Sequence, residues 1–166
     1  MDIPVPNKGL PLSGIRAICI TTVWAGPFAS QFLADWGCEV IRVESTQRRQ
    51  LNTRGYVSRP RKGVANECEA GPPWPWGYPD GDPGERPWNR FSWFNTNHRN
   101  KLSMTVDLLK PRGKEILRQL VKISDLFIEN NTPQTMDKLG ITYDWLKEIR
   151  PDIIMIRMPA FGLSGP

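Results

Sequence analysis

The chain has 166 residues, a net charge of +5, 39% hydrophobic residues and 23% charged residues. This length suits one domain with its own core, and the composition excludes a collagen, a coiled coil and a largely disordered chain. No stretch reaches the ~18 apolar residues of a membrane-spanning helix, and the N-terminus lacks the basic and apolar regions of a signal peptide. We therefore expect a cytoplasmic protein without a membrane partner.

The cysteines and the single histidine limit the chemistry that the chain can carry. Cys19, Cys38 and Cys68 are odd in number and widely spaced, which indicates reduced thiols rather than disulfides or a zinc site. His98 is the only histidine, so a His-rich metal site is impossible. We expect His98 on the surface or in a loop. We also expect no metal site and no tightly bound cofactor.

The first 45 residues predict a strand, a helix and a second strand. Residues 15–22 are rich in β-branched side chains and predict a buried strand, and residues 40–44 predict another. Between them, Pro27 suits the first turn of a helix and Gly37 suits its left-handed cap. Such a βαβ unit has a right-handed crossover and parallel strands. The apolar residues at helical spacing are Phe28, Phe32, Leu33 and Trp36.

Residues 45–87 lack this periodicity and predict an irregular loop rich in Arg, Pro and Trp. Seven of the 16 prolines lie between Pro60 and Pro87, after a basic run from Arg48 to Lys62. Because an irregular loop of this length is unusual in a compact domain, we expect its tryptophans to pin it to the protein or to a partner. Basic and aromatic residues together can bind nucleic acid. However, the tryptophans lie among prolines and the net charge is modest, so we expect no nucleic-acid partner.

The remainder alternates strands and helices. This pattern, with the first βαβ unit, predicts an α/β fold with a Rossmann-like, doubly wound and mainly parallel sheet. A strand that finishes in a Gly-rich loop normally feeds a helix, and none follows Phe161 to Pro166, so we expect an incomplete fold over residues 1–166. The predicted strands are 102–108, 126–129 and a buried 153–156, and the predicted helices begin at Pro111, Pro133 and Tyr143.

Ligands of open α/β sheets bind at the carboxyl ends of the strands. Four segments fall there: 23–27, 44–45, 130–133 and 159–166. The first and third lead into helix N-termini, which favour phosphate. Gly-x-Gly-x-x-Gly is absent after the first strand, which argues against a nicotinamide cofactor. Glu44 then remains either a ribose ligand or a surface carboxylate.

Several segments together resemble the N-terminal part of the class III CoA-transferases. This family includes formyl-CoA transferase, carnitine CoA-transferases and α-methylacyl-CoA racemase, and the resemblance covers nearly the whole chain outside residues 45–88. The segments are Pro11-Leu12-Ser13-Gly14-Ile15-Arg16, Thr22–Ala29, Leu33-Ala34-Asp35-Trp36-Gly37, Val40–Glu44, Asn97–Ser103, Val106-Asp107-Leu108, Ser124-Asp125, Ile128-Glu129-Asn130, Lys138-Leu139-Gly140, Pro151–Ile154 and Phe161–Pro166.

The resemblance implies a large Rossmann-like domain, a smaller second domain and an interlocked homodimer. It implies transfer of CoA from an acyl-CoA to a carboxylic acid through an aspartate that forms covalent intermediates. Coenzyme A and its acyl esters are then substrates rather than bound cofactors. The implied CoA-binding residues are Val23, Trp24, Ala25, Ser45, Val106, Asp107, Leu108, Leu109, Asn130, Asn131, Thr132 and Lys138.

The chain departs from the family pattern at three of these residues. Trp24 stands where formyl-CoA transferase has a glutamine, and Ser45 and Lys138 stand where arginines often hold the nucleotide phosphates. The family's aspartate follows the Phe-Gly-x-x-Gly-Pro motif, so we expect no catalytic residue up to Pro166. The chain therefore resembles the CoA-binding part of a transferase. An acyl-CoA racemase part and a non-catalytic CoA-binding subunit, completed by a partner chain, are the alternatives.

Overall fold

The computed structural model describes residues 9–45, 47, 77–79 and 82–163. The basic run, most of the Pro-Trp-Gly stretch, Cys68 and the last three residues lie outside the described residues. The strands are β1 (Arg16–Ile20), β2 (Glu39–Glu44), β3 (Lys101–Thr105), β4 (Leu126–Glu129) and β5 (Ile154–Arg157). The helices are α1 (Ala25–Asp35), α2 (Pro87–Arg90), α3 (Ser92–His98), α4 (Pro111–Lys122), α5 (Pro133–Leu139) and α6 (Tyr143–Ile149).

The five strands form one parallel sheet in the order β3-β2-β1-β4-β5. The chain moves outward from β1 to β3, and then returns to continue on the other side through β4 and β5. The predicted Rossmann-like, doubly wound sheet is therefore confirmed. Strand order reverses between β1 and β4, and a crevice forms at such a point beside the carboxyl ends of the strands.

One face of the sheet is covered by α4, α5 and α6. Its core joins Ile18 and Phe127 of the sheet to Leu117, Met136 and Leu146 of the three helices, and all five side chains are buried. The exposed positions of α4 are mostly polar, as expected for a helix with one apolar side. The outer surface of this layer is mixed, because Ile116 of α4 and Tyr143 of α6 are also exposed.

The other face carries α1, which packs closely because its inner side is small. Gly26, Ser30 and Ala34 are buried on the helix, and the opposing core includes Ala17 and Cys19 of β1. The helix forms where the sequence predicts it. However, its aromatic residues point away from the sheet, with exposed fractions of 42–58% for Phe28, Phe32 and Trp36.

Three other sequence expectations change in the structure. The predicted strand 102–108 ends at Thr105. The expectation of a buried strand at 153–156 is wrong, because β5 is an edge strand and Ile154 is 57% exposed. The surface position expected for His98 is also wrong, because its ring is buried and stacks on Phe94 with ring centroids 5.0 Å apart.

Two of the three cysteines lie among the described residues. Cys19 and Cys38 are free buried thiols, and burial raises the pKa of Cys38 to about 11. None of the helices in the described part of the chain has the length and apolar character needed to cross a membrane.

Candidate functional site

Asn130 and Asn131 tie the carboxyl end of β4 to the end of β1. Asn130 Oδ1 accepts a hydrogen bond from Thr22 N–H, and its Nδ2 donates to Thr22 O, both at 2.8 Å. Asn131 Nδ2 donates to Ile20 O at 3.0 Å. Both amides therefore bond to backbone across the β1–β4 crevice. This arrangement brings the predicted segments 23–25 and 130–132 together, with the two asparagine side chains acting as supports.

The loop between β1 and α1 holds a strained residue and an exposed indole. Val23 has a φ of 64°, a left-handed conformation that costs a β-branched residue about 1–3 kcal/mol. The next residue, Trp24, packs edge-on against Trp93 with ring centroids 4.4 Å apart and remains half-exposed. Strained backbone of this kind clusters at ligand sites, so the loop is a binding candidate on geometry as well as on sequence.

Gly26 sets the distance between α1 and the crevice. A Cβ at this position would lie 2.5 Å from Thr21 Cγ2 and 3.0 Å from Asn130 Cγ. Only glycine lets the first turn of the helix approach the strand end this closely. The free N–H groups of the helix N-terminus are thereby held beside the crevice, where they favour an anion.

An ion pair that the sequence analysis missed lies at the same edge of the sheet. Glu129 is fully buried, and its carboxylate accepts hydrogen bonds at 2.8 Å from Arg157 Nε and from Asn131 N–H. Arg157 also lies 3.4 Å from Pro133 O. The sequence offered one indication of this pair, because Glu129 and Arg157 each end a strand. The register of β4 and β5 places the two residues side by side.

The remaining strand-end residues form a second group on β2 and β3. Val106 N–H donates to Glu44 O at 3.0 Å, and Asp107 Oδ1 accepts from Leu109 N–H at 3.0 Å. Gln47 links the two strands, because its N–H donates to Ser45 Oγ at 3.0 Å and its Nε2 lies 3.5 Å from Asp107 Oδ2. The predicted residues at 45 and 106–109 therefore lie at one edge, with Leu109 projecting into solvent.

Glu44 forms an ion pair and a hydrogen bond within the sheet. Its Oε1 lies 2.8 Å from Nη1 of the buried Arg42, and its Oε2 accepts a hydrogen bond from Ser103 Oγ at 2.7 Å. Its carboxylate therefore connects β2 to β3. The Glu44 side chain is 14% exposed, so it is not a free surface carboxylate, and its role as a ribose ligand stays a prediction.

The third predicted segment offers less to a phosphate than its sequence suggested. The helix after β4 begins at Pro133, which has no N–H to donate, and Thr132 is exposed. Lys138 is also exposed, in the last turn of the same helix, which ends at Gly140 with a φ of 64°. A point charge at Lys138 is therefore the contribution that this segment can make.

The model of CoA-transferase family III matches residues 12–166. The chain belongs to CoA-transferase family III.

The relatives of this family III chain are longer proteins. An acyl-CoA transferase of Fusarium pseudograminearum is 36% identical over 93% of this chain and 30% of its own length. A succinate–glutarate CoA-transferase of Agrobacterium fabrum is 33% identical over 98% of this chain and 35% of its own length. A solved CaiB/BaiF family protein from Brucella suis has 31% identity and a TM-score of 0.72, covering 96% of this chain and 36% of that one. The chain therefore spans about a third of these relatives.

Three carboxylates at the carboxyl ends of the strands make contacts within the chain. Glu44 pairs with Arg42, Glu129 pairs with Arg157, and Asp107 caps the turn to Leu109. Among the residues that the structure describes, no group of three His, Cys, Asp or Glu side chains is arranged to hold a metal ion.

Proposed function

We propose that this chain is the CoA-binding portion of a CoA-transferase that moves CoA from an acyl-CoA to a carboxylic acid. The observation that carries the proposal is the pair of hydrogen bonds between Asn130 and Thr22, the residue directly before the 23–25 loop, at the β1–β4 crevice. Open α/β sheets bind nucleotide-like ligands at this point of the topology. Membership of CoA-transferase family III supports CoA as the ligand of that crevice.

The first turn of α1 is suited to the diphosphate of CoA. Phe28 N–H makes the first hydrogen bond of the helix, to Trp24 O at 2.8 Å, so the N–H groups of Ala25 and Gly26 precede the helical ladder. Together with the helix dipole they favour an anion. Trp24 supplies an apolar wall for the pantetheine arm, and Lys138 supplies a charge for a nucleotide phosphate.

The proposed nucleophile is an aspartate on polypeptide that this chain does not contain. In the proposed reaction its carboxylate attacks the acyl thioester, forms an acyl-aspartyl anhydride and releases the CoA thiolate. The thiolate then attacks the aspartyl carbonyl, which releases the first acid and leaves an enzyme thioester for the acceptor carboxylate. The internal pairing of Glu44, Asp107 and Glu129 supports this assignment, because none of the three is left free to attack.

The same pairing favours a second candidate, a CoA-binding subunit that carries no nucleophile and works with a partner chain. The alpha and beta subunits of a succinyl-CoA–L-malate CoA-transferase of Chloroflexus aurantiacus are 30% and 32% identical to this chain. Both relatives are named as subunits of a CoA-transferase. A racemase portion receives no specific support from the described residues.

Ligand selectivity tests the CoA site. By calorimetry, CoA should bind more tightly than dephospho-CoA or NAD, because only CoA carries the 3′-phosphate. Lys138→Ala should weaken CoA binding about tenfold or more if the lysine makes a charge-assisted contact. Lys122→Ala is the matched control, because Lys122 is an exposed lysine at the far end of α4, toward the opposite edge of the sheet.

Three outcomes would contradict these proposals. Equal binding of CoA, NAD and a random oligonucleotide would indicate a general basic surface. Equal losses for Lys138→Ala and Lys122→Ala would indicate the same. CoA-transfer by the purified chain, abolished by replacing one of its own aspartates, would overturn the placement of the nucleophile.

A further inference from the structure

Lys101, the first residue of β3, places its ammonium group against the first turn of α1. Its Nζ donates hydrogen bonds to Pro27 O at 2.6 Å, to Ser30 Oγ at 2.9 Å and to Asn97 O at 2.7 Å. All three acceptors belong to buried residues, although the lysine as a whole is half-buried. An ammonium group has three N–H donors, so the three oxygens match the charged form of this lysine. A neutral amine would have one donor too few.

These hydrogen bonds join the first turn of α1 to the end of α3. Ser30 Oγ, which accepts from the lysine, donates in turn to Gly26 O at 2.8 Å. The lysine and the serine therefore hold the carbonyl side of the first turn of α1. Helix α3 also carries Trp93, whose ring packs edge-on against Trp24. Lys101 thus connects the helix N-terminus to the element that supports the indole of the same site.

The positive charge of Lys101 has no ion-pair partner among the residues that the structure describes. The charged residues that face it are themselves paired. Arg42 Nη1 lies 2.8 Å from Glu44 Oε1, and Arg99 Nη2 lies 2.7 Å from Asp35 Oδ2. These five charges therefore leave one positive charge in excess, beside the first turn of α1. A charge held among buried residues normally has a counter-ion, because removing it from water is costly. An anion bound at that turn would compensate it.

The proton on Lys101 is held only loosely. Burial is the largest effect and lowers its pKa to about 8. The groups that face it act in both directions, since Cys19 of β1 and Asp35 of α1 raise the pKa, whereas Arg42 of β2 and Arg99 after α3 lower it. The group is therefore charged at neutral pH but close to losing its proton. A nearby anion would favour the charged form.

We propose that Lys101 is a positioning residue of the CoA site, which holds the first turn of α1 against α3 and supplies the positive charge that the diphosphate of CoA compensates. This inference rests on the proposed function, because it takes the N–H groups of that turn as the diphosphate site. The lysine acts through the helix and not by contact with the ligand, since its three donors are all used within the chain.

Calorimetry of the full chain with CoA and with inorganic pyrophosphate tests this role. At about pH 7, Lys101→Met should weaken the binding of both ligands about tenfold or more, because the side chain keeps its length and loses its charge. Lys101→Gln, which keeps N–H donors without the charge, should lose binding as well. Lys122→Met is the matched control and should bind as the wild type does, since Lys122 is an exposed lysine at the end of α4. Circular dichroism shows whether each variant folds.

Proton uptake separates this role from a merely structural one. Calorimetry in buffers with different ionisation enthalpies measures the protons bound together with CoA. If CoA favours the charged lysine tenfold, the wild type should take up about half a proton more per CoA than Lys101→Met at about pH 8.5. The affinities of the wild type and Lys101→Met should converge as the pH rises to about 10. A lysine that only packs the helix would leave the proton uptake of the two proteins equal.

The possible results distinguish this inference from the proposed function. Unchanged CoA affinity in both Lys101 variants, or equal proton uptake, would overturn the inference and leave the CoA site standing. Binding of pyrophosphate that depends on Lys101, without binding of CoA, would support the role of the lysine and refute the proposed function. Absence of binding of both ligands to the wild type would overturn both.

Discussion

Gly26→Ala addresses the close approach of α1 to the β1–β4 crevice. The added Cβ would lie 2.5 Å from Thr21 Cγ2, 2.6 Å from Thr21 Cβ and 3.0 Å from Asn130 Cγ. Thr21 Cβ is bonded directly to the backbone of a buried residue, so a rotamer change cannot remove that contact. The first turn of α1 must therefore move away from the sheet, and the Asn130–Thr22 hydrogen bonds at 2.8 Å must lengthen.

The expected loss of stability is a difference between two effects. Overpacking a close contact costs about 1–3 kcal/mol, whereas alanine in a helix gains up to about 1 kcal/mol over glycine. The free energy of unfolding should therefore fall by about 1–2 kcal/mol. CoA binding should weaken as well, because the N–H groups proposed to receive its diphosphate move with the helix.

Urea unfolding and calorimetry measure the two consequences. The urea midpoint of Gly26→Ala should fall with an unchanged m-value. A Thr21→Gly background provides the control, because it removes both threonine atoms nearest to the new Cβ. In that background Gly26→Ala should cost at least about 1 kcal/mol less than in the wild type. An unfolding free energy of Gly26→Ala equal to or above that of the wild type would refute the reasoning.

Arg157→Gln should lower the free energy of unfolding by about 3 kcal/mol, because the buried Glu129 carboxylate loses its cation. Adding Glu129→Gln should restore part of this loss in urea unfolding, and no recovery would contradict the pairing. Burial lowers the pKa of Lys101 to about 8, against about 10.4 in the unfolded chain. Between these two pH values the unfolded chain binds a proton at Lys101 that the folded chain has lost. The free energy of unfolding therefore rises with pH over this range, by at most about 3 kcal/mol. Burial raises the pKa of Cys38 from 9.0 to about 11, so the unfolded thiol ionises first and stability falls between those values. Urea unfolding measured across this pH range should show that Lys101→Met loses the rise in stability and that Cys38→Ala loses the fall. Unchanged pH dependence in both variants would count against the two assignments.

Local sequence predicted the five strands and the helices α1, α4, α5 and α6 in their order, whereas α2 and α3 were not predicted. Helix α5 begins at Pro133 and ends before Gly140, and β4 occupies the apolar run that predicted it. These signals are local, because a proline, a glycine cap or an apolar run acts on the few residues around it. The parallel, doubly wound class followed from the alternation of strands and helices, since parallel strands need crossovers. The family motifs indicated the family, and CoA is the ligand proposed on that basis.

Tertiary structure alone decided which side chains remain available for that ligand. Glu44 ends β2 and Asn130 directly follows β4, as the sequence indicated. Their partners, Ser103 and Thr22, are distant in the chain and are brought to them by strand order and register. The orientation of α1 was decided in the same way. Close packing against Ala17 and Cys19 requires small residues such as Ser30 and Ala34 on the inner side of α1, and the same helix orientation leaves its aromatic residues on the outer side.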